Sequence, residues 1–503
     1  MTDATVGAAP AVRPLYTNGY KATVLGMLLA AYTFNFIDRT IIATIGQAIK
    51  VDLKLTDTQL GLLGGLYFAL LYTTLGIPIA RLAERKSRVN IITWSLVIWS
   101  GFTALCGLAQ NFVQLAILRF GVGIGEAGCS PPSHSLISDY YEPKKRATAL
   151  SIYAFGIPLG TMIGAVAGGW LTQEFSWRVA FVIVGMPGII LAVLFKLLVK
   201  EPPRGHSDLV ERPLTEEDVT LAATPKPFSM AEEFRELAAV AKVLFTKWPV
   251  VNMVLGVTIA SFGSYGSGAF VPAYFVRQFG LDYTTVGLIT GLLTGFSAGI
   301  GTLLGGFLAD WGGKRNVRWY ALTPAFGLLI ATPIYIAAYL QYDWKIAAMI
   351  LLIPGIFHYT YLGPTFGVVQ NSVPTYRRAT ATALLFFFLN LIALGGGPVF
   401  TGWLIDHLSQ HNFNNPGFGV TSFLAAFGGG EAGASFAAAC PGGAAPAGAS
   451  AELVANCHDS LAMASRQGII LSICFYAWAS VHYFLAAIGL VEHMKKAAAE
   501  QLA

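Results

Sequence analysis

Twelve stretches of about twenty apolar residues run through this chain, and a helix of that length spans the hydrocarbon core of a bilayer. They are expected at 22–49, 58–80, 89–110, 112–138, 146–172, 178–199, 248–276, 284–309, 317–340, 345–370, 378–405 and 465–491. Backbone in hydrocarbon must satisfy its own hydrogen bonds, so the spans are helices. The expected fold is an all-α membrane protein of twelve transmembrane helices. Composition agrees: 12% of the 503 residues are charged, about half the share found in soluble domains. Thr56-Asp57-Thr58-Gln59 fits a capping box and marks the start of span two.

Lys and Arg concentrate in alternate loops. One set holds Arg81, Arg85, Lys86 and Arg88, then Lys144, Lys145 and Arg146, then Lys314, Arg315 and Arg318, then Arg377 and Arg378. Lys495 and Lys496 follow in the C-terminal tail. The positive-inside rule puts these loops and both termini in the cytoplasm, in a plasma membrane such as the bacterial inner membrane. These cations read as topology signals and not as a nucleic-acid patch. The first residues lack a cleavable signal pattern and are expected to form a disordered tail.

Three regions follow: a first six-helix half over 1–199, a cytoplasmic linker over 200–247, and a second half over 248–503. Ser229-Met-Ala-Glu232 is a second capping-box match, opening an amphipathic helix to about Leu244 on the membrane surface. A Gly/Ala-rich outer loop over 407–464 is expected to be flexible. It holds Cys440 and Cys457, a disulfide pair if that side is oxidising and two thiols otherwise. His407, His411 and His458 match no metal-ligand spacing, so no metal or cofactor is expected. Cys106, Cys129 and Cys474 read as small apolar residues.

The chain repeats itself. ARLAERKSRVN (80–90) answers GFLADWGGKRN (306–316), and EPKKRATAL (142–150) answers PTYRRATATAL (374–384). Six spans, a linker and six spans imply duplication, a known transporter plan. Gly306, Leu308, Ala309, Asp310, Gly313, Lys314 and Arg315 resemble the loop signature of the major facilitator superfamily. The first-half copy is degenerate, with Ala80, Glu84 and Ser87 in place of the Gly, Asp and second Gly. Arg119, Gly123, Gly125 and Ala127 match its span-four motif, and GIPLGTMIGAVAGG (156–169) its span-five motif. FNFIDR, GEAGCSPPSHSLISDYY and KEPPRG are similar to the Spinster-like subfamily. That resemblance implies a carrier of lysophospholipid or sphingosine phosphate. Anion:proton symporters of sugar acids share the Asp-Arg and Glu features.

Four charged residues lie deep in the first half: Asp38 and Arg39 in span one, Arg119 and Glu126 in span four. Central charges cost about 2.5–3.5 kcal/mol on insertion scales, so they must face the interior and pair. Asp38 and Glu126 are candidate proton carriers, with Arg119 expected to hold Glu126. Arg39, sharing a face with Asn35, is a candidate anion site. A substrate head would then compete with Asp38 for Arg39. In the second half, spans seven to eleven carry no central acid or base besides His358. Tyr265, Tyr359, Tyr361, Asn390 and Phe386–Phe388 line them instead. An aromatic half facing a charged half suits an amphipathic substrate, although each such residue also fits simple packing.

The loop charges read as gates. Glu84 is expected at the N-terminus of span eleven and Asp310 at that of span five. Asp139 is expected on Arg85 or Arg88, with Arg146, Lys314, Arg315 and Arg378 beside them. GIGEAG (123–128) spells a dinucleotide fingerprint but lies inside a span, so nucleotide binding is not expected. Ser133-His134 near Asp139 cannot form a triad on one helix, and no P-loop is present, so the chain is not read as an enzyme. Two readings remain ahead of a receptor or scaffold: a monomeric proton-coupled lipid transporter and a proton-coupled carrier of small organic anions.

Overall fold

The computed structural model describes residues 16–204, 207, 230–374, 377–415, 419–420, 423–427 and 433–502. Among them no strand forms. Twelve helices are long and apolar enough to cross a membrane: Asn18–Leu53, Asp57–Arg85, Arg88–Cys106, Phe112–Tyr140, Thr148–Glu174 and Trp177–Leu198, then Trp248–Phe279, Tyr283–Gly313, Trp319–Tyr339, Trp344–Asn371, Thr380–Asn414 and Ala451–Ala487. They are spans one to twelve. The chain thus enters on the face that carries the Lys- and Arg-rich loops, here the basic face, and turns back at the far face.

Several helices outrun their apolar runs because a cap, and not the last apolar residue, ends a helix. Span one continues to Leu53, where Lys54 adopts a left-handed conformation (φ 53°) and returns its N–H to the Lys50 carbonyl. Gly280 (φ 64°) closes span seven in the same way on Val276. Thr56 and Gln59 form the expected capping box at span two. The expected outer loop over 407–464 shrinks, since span eleven runs to Asn414 and span twelve starts at Ala451 under a Ser450 cap. Cys440 and Cys457 are joined, with Cα atoms 5.8 Å apart. The segment around Cys440 is therefore tied to the helical extension of span twelve.

The linker helix runs from Met230 to Thr246, and its Ser229 capping box lies outside the described residues. Part of its apolar face packs on the protein. Val240 and Leu244 are fully buried, and the Phe245 ring meets Phe388 of span eleven at 4.9 Å. The helix ends at Thr246, one residue before span seven begins at Trp248. At the other end of the linker, Glu201 accepts from Arg88 Nε at 2.7 Å and from the Val89 N–H at 2.9 Å. Burial alone would push its carboxyl up, but the Val89 N–H, Arg88 and Ser87 outweigh this and hold it below the usual value.

The two halves meet at the far face. There Gly287 of span eight lies against the Ala165 backbone of span five, and Gly61 of span two against Pro398 of span eleven. Any Cβ at these positions would collide with main chain, so only glycine allows the contact. The cross-half hydrogen bonds seen among the described residues all lie on this face, including Tyr283 N–H to Gln173 at 3.1 Å.

Candidate functional site

The midplane of the first half carries the charged group. Span four reaches it because glycine lets its neighbours in: a Cβ on Gly123 would lie 2.8 Å from the Phe68 carbonyl of span two, and one on Gly125 2.5 Å from the Trp99 nitrogen of span three. Glu126 then sits at 0% exposure and accepts from Arg39 Nε at 2.6 Å. The Arg39 guanidinium lies over Phe36, Phe68 and Tyr72, 5.0, 4.9 and 4.4 Å from the ring centroids. Its side chain is 19% exposed, which leaves it open to the cleft.

The pairing differs from the expected one. Arg39 pairs with Glu126 and not with its neighbour Asp38. Arg119 does not hold Glu126 but donates to the Leu63 carbonyl at 3.3 Å. Leu63 stands in a wide π-helical turn, Leu62–Leu66. Asp38, 1% exposed, faces Glu126, Thr103 and Arg119. Consecutive residues on a helix point about 100° apart, and this rotation sends Asp38 into the half while Arg39 turns to the cleft. Spare valences collect here: Asp38 Oδ1, Glu126 Oε1, Arg119 Nη1 and both amide atoms of Asn35 are buried without a hydrogen-bond partner. A carboxylate with one oxygen bonded and one unbonded has a place to receive a proton.

Across the cleft, Tyr265 of span seven lies within electrostatic reach of Arg39 and Tyr72. His358 is buried in an aromatic cluster, 4.3 Å from Tyr476, 4.6 Å from Tyr359 and 5.6 Å from Tyr361 between centroids. Its Nδ1 is 3.4 Å from the Tyr335 hydroxyl, and its Nε2 is unpartnered. Tyr361 turns away to Ser261 at 3.1 Å. His358 and Tyr359 help line a cavity of about 130 Å³, with Thr40 of span one and Ser264, Ser267, Thr290 and Thr294 of the second half. This wall mixes hydroxyls into a mainly apolar lining, and the Ser267, Thr290 and Thr294 hydroxyls donate to carbonyls of their own helices. Asn390 is half-buried in a second wide turn, Leu389–Leu394, and a Cβ on Gly65 of the first wide turn would come within 2.8 Å of the Leu394 carbonyl.

The loop charges are held by neighbours in their own half and by the linker. Arg88 is fully buried and holds Asp139, Glu201 and, at 2.8 Å, Ser135. Glu84 pairs with Arg81 of its own helix at 3.2 Å and not with the start of span eleven. Asp310 accepts from the Tyr320 hydroxyl at 2.8 Å, away from span five. Arg85 ends span two. Arg146 donates to the Ser138 carbonyl at 2.8 Å, Arg315 covers Trp311, Lys314 is exposed, and Arg378 opens a helix of span eleven with its Nε unpartnered. One charged group was not anticipated from the sequence: Lys50, Asp57, Arg277 and Asp406 converge at the far face. Each stands one residue outside an expected span, where a charge looks like an ordinary boundary.

A family profile described as Major Facilitator Superfamily matches residues 28–398. The chain belongs to the major facilitator superfamily. An MFS-type efflux pump of Mycolicibacterium smegmatis is 30% identical to this transporter over 392 residues, 77% of this chain and 85% of the relative. A hexuronate transporter of Bacillus subtilis is 26% identical over 396 residues, 77% and 88% of the two chains. The crystal structure of a bacterial homologue of the human lysosomal transporter Spinster, inward-facing and unoccupied, is 33% identical. It matches this transporter with a TM-score of 0.79 over 95% of this chain and 99% of the other. The same homologue in its inward-facing, occupied state gives 0.76. The transporter is thus Spinster-like in sequence and structure, and it is not an enzyme.

Proposed function

We propose that this transporter moves an amphipathic anion, a lysophospholipid or a sphingosine-phosphate-like lipid, by alternating access coupled to protons. The observation that carries the proposal is the Arg39–Glu126 pair: a cleft-facing cation tied to a buried carboxylate whose second oxygen is free. A proton on Glu126 Oε1 neutralises the carboxyl and loosens its hold. Arg39 then takes the substrate's phosphate or carboxylate, by the bidentate contact a guanidinium favours. Proton and anion therefore load together. When Glu126 loses its proton it reclaims Arg39 and displaces the anion. Asp38, facing Arg119, offers a second place for a proton, and Asn35 flanks Glu126.

The basic face is read as cytoplasmic and the far face as external, with the transporter open inward as a monomer. Far-face closure and the likeness to the inward-facing homologue support this. The lipid class rests on that likeness and on the exposed aromatic rings of Tyr265 and Phe386 in the second half. A second reading, a small sugar acid, is favoured by the hydroxyl-lined cavity around His358 and by the hexuronate-transporting relative.

Proteoliposome counterflow separates the two readings. Labelled lysophospholipid is expected to exchange where labelled hexuronate does not, and the reverse result replaces the lipid with a sugar acid. Under an imposed pH gradient, Asp38→Asn should lose the gradient's effect. A variant that responds as the native chain does removes Asp38 from coupling.

A further inference from the structure

The far-face charges form a second, largely buried group, beyond the cavity toward the far face. Asp57, at the start of span two, is 0% exposed and accepts from Lys50 of span one and from Arg277 Nη2 of span seven, the latter at 2.6 Å. Arg277 also donates through Nε to Gln47 of span one at 2.7 Å and through Nη1 to Ser465 of span twelve at 2.9 Å. Asp406 of span eleven accepts the Asp57 N–H at 2.9 Å, the Thr58 N–H at 2.8 Å and the Thr58 hydroxyl at 2.6 Å. Two cations and two anions cancel. Two first-half spans are bound to three second-half spans.

A strap covers this group. The turn Pro441–Gly443, held by the buried Cys440–Cys457 disulfide to span twelve, lies on the end of span one. A Cβ on Gly442 would stand 2.9 Å from the Lys50 carbonyl, and one on Gly443 3.3 Å from Lys50 Cε. Both glycines have positive φ, 71° and 87°, so the turn can press onto the helix without a side chain in the way. The strap belongs to the second half and rests on the first.

We infer that Asp57, Arg277, Lys50 and Asp406, under the disulfide-held strap, are positioning residues that latch the far face shut and set how often it opens. Opening must part Arg277 from Gln47 and Asp57, part Asp406 from the start of span two, and lift the strap off Lys50. All three contacts join the halves, so they break together. Removing one charge leaves its buried partner unpaired, a penalty borne only while the face is closed. The latch rests on the rocking motion proposed above.

The test is a distance across the far face of the full-length chain in liposomes. Spin labels at Leu108→Cys and Tyr342→Cys, both far-face sites on opposite halves and well exposed, are read by electron–electron resonance with Cys474→Ser as background. The native chain should show one dominant short distance. Asp406→Asn should raise the long-distance population by roughly tenfold or more, as expected for an uncompensated buried charge, and Asp406→Glu should return it toward native. Should Asp406→Asn fail to fold, Cys440→Ser with Cys457→Ser leaves the charges intact and should raise the same population by freeing the strap. A long distance that appears in the native chain on acidification but is unmoved in the folded variants overturns the latch alone. No second distance under any condition overturns the rocking and the latch together.

Discussion

At the scale of single residues, the proposed mechanism gives Glu126 and Arg39 two tasks that one residue could not perform. A carboxyl can take up or lose a proton whereas a guanidinium stays charged, so in this mechanism the first switches and the second is switched upon. Glu126→Gln keeps the shape and removes the titration. Uptake by this variant should no longer follow an imposed proton gradient, while counterflow of the unlabelled against the labelled anion persists; loss of both would make Glu126 a structural tie. Arg39→Ala should weaken anion binding by roughly ten- to a hundredfold, the worth of a hydrogen bond to a charged group at about 1.5–3 kcal/mol. Isothermal titration with the substrate checks it. The spare oxygen on Glu126 and the three rings behind Arg39 are what the prediction depends on.

At the scale of elements, span four is placed by what it lacks. Gly123 and Gly125 let Phe68 and Trp99 close on its backbone, and that approach leaves Glu126 fully buried. Gly125→Ala should therefore cost about 1–3 kcal/mol, the usual range for overpacking a tight core, and should loosen the Arg39–Glu126 pair. A lower melting temperature of the purified protein, together with a weaker response to the pH gradient, is the expected pair of readouts; an unchanged melt would show that Trp99 yields freely. The wide turns at 62–66 and 389–394 act the other way: each adds a residue to its turn. The Leu63 carbonyl in the first receives Arg119.

At the scale of the whole molecule, the halves touch through small residues and buried charges at one face, with the charged cleft at the midplane. That arrangement suits rocking about the midplane, because glycine seams slide or part without unpacking large side chains. If the basic face is cytoplasmic, a membrane-impermeant maleimide applied to intact cells should label Leu424→Cys in the strap loop and spare Asn316→Cys between spans eight and nine. Both positions are exposed, so access to the side of the membrane decides the result. Labelling of the second site alone would invert the molecule and move the strap inside.

Hydropathy, charge placement and the internal repeat were enough to read twelve helices, two related halves and the interior position of Asp38, Arg39, Arg119 and Glu126. A helix carries its own periodicity, and lipid tolerates no unpaired charge, so both facts are local. Which acid each arginine holds was not legible, since it depends on the rotation and height of span four against span one, and packing of Phe68, Trp99 and the glycines sets these. The far-face group was hidden for a related reason. Lys50, Asp57, Arg277 and Asp406 each end an apolar run, as ordinary boundary residues do. Only when spans one, two, seven, eleven and twelve converge beneath the strap do they become one network.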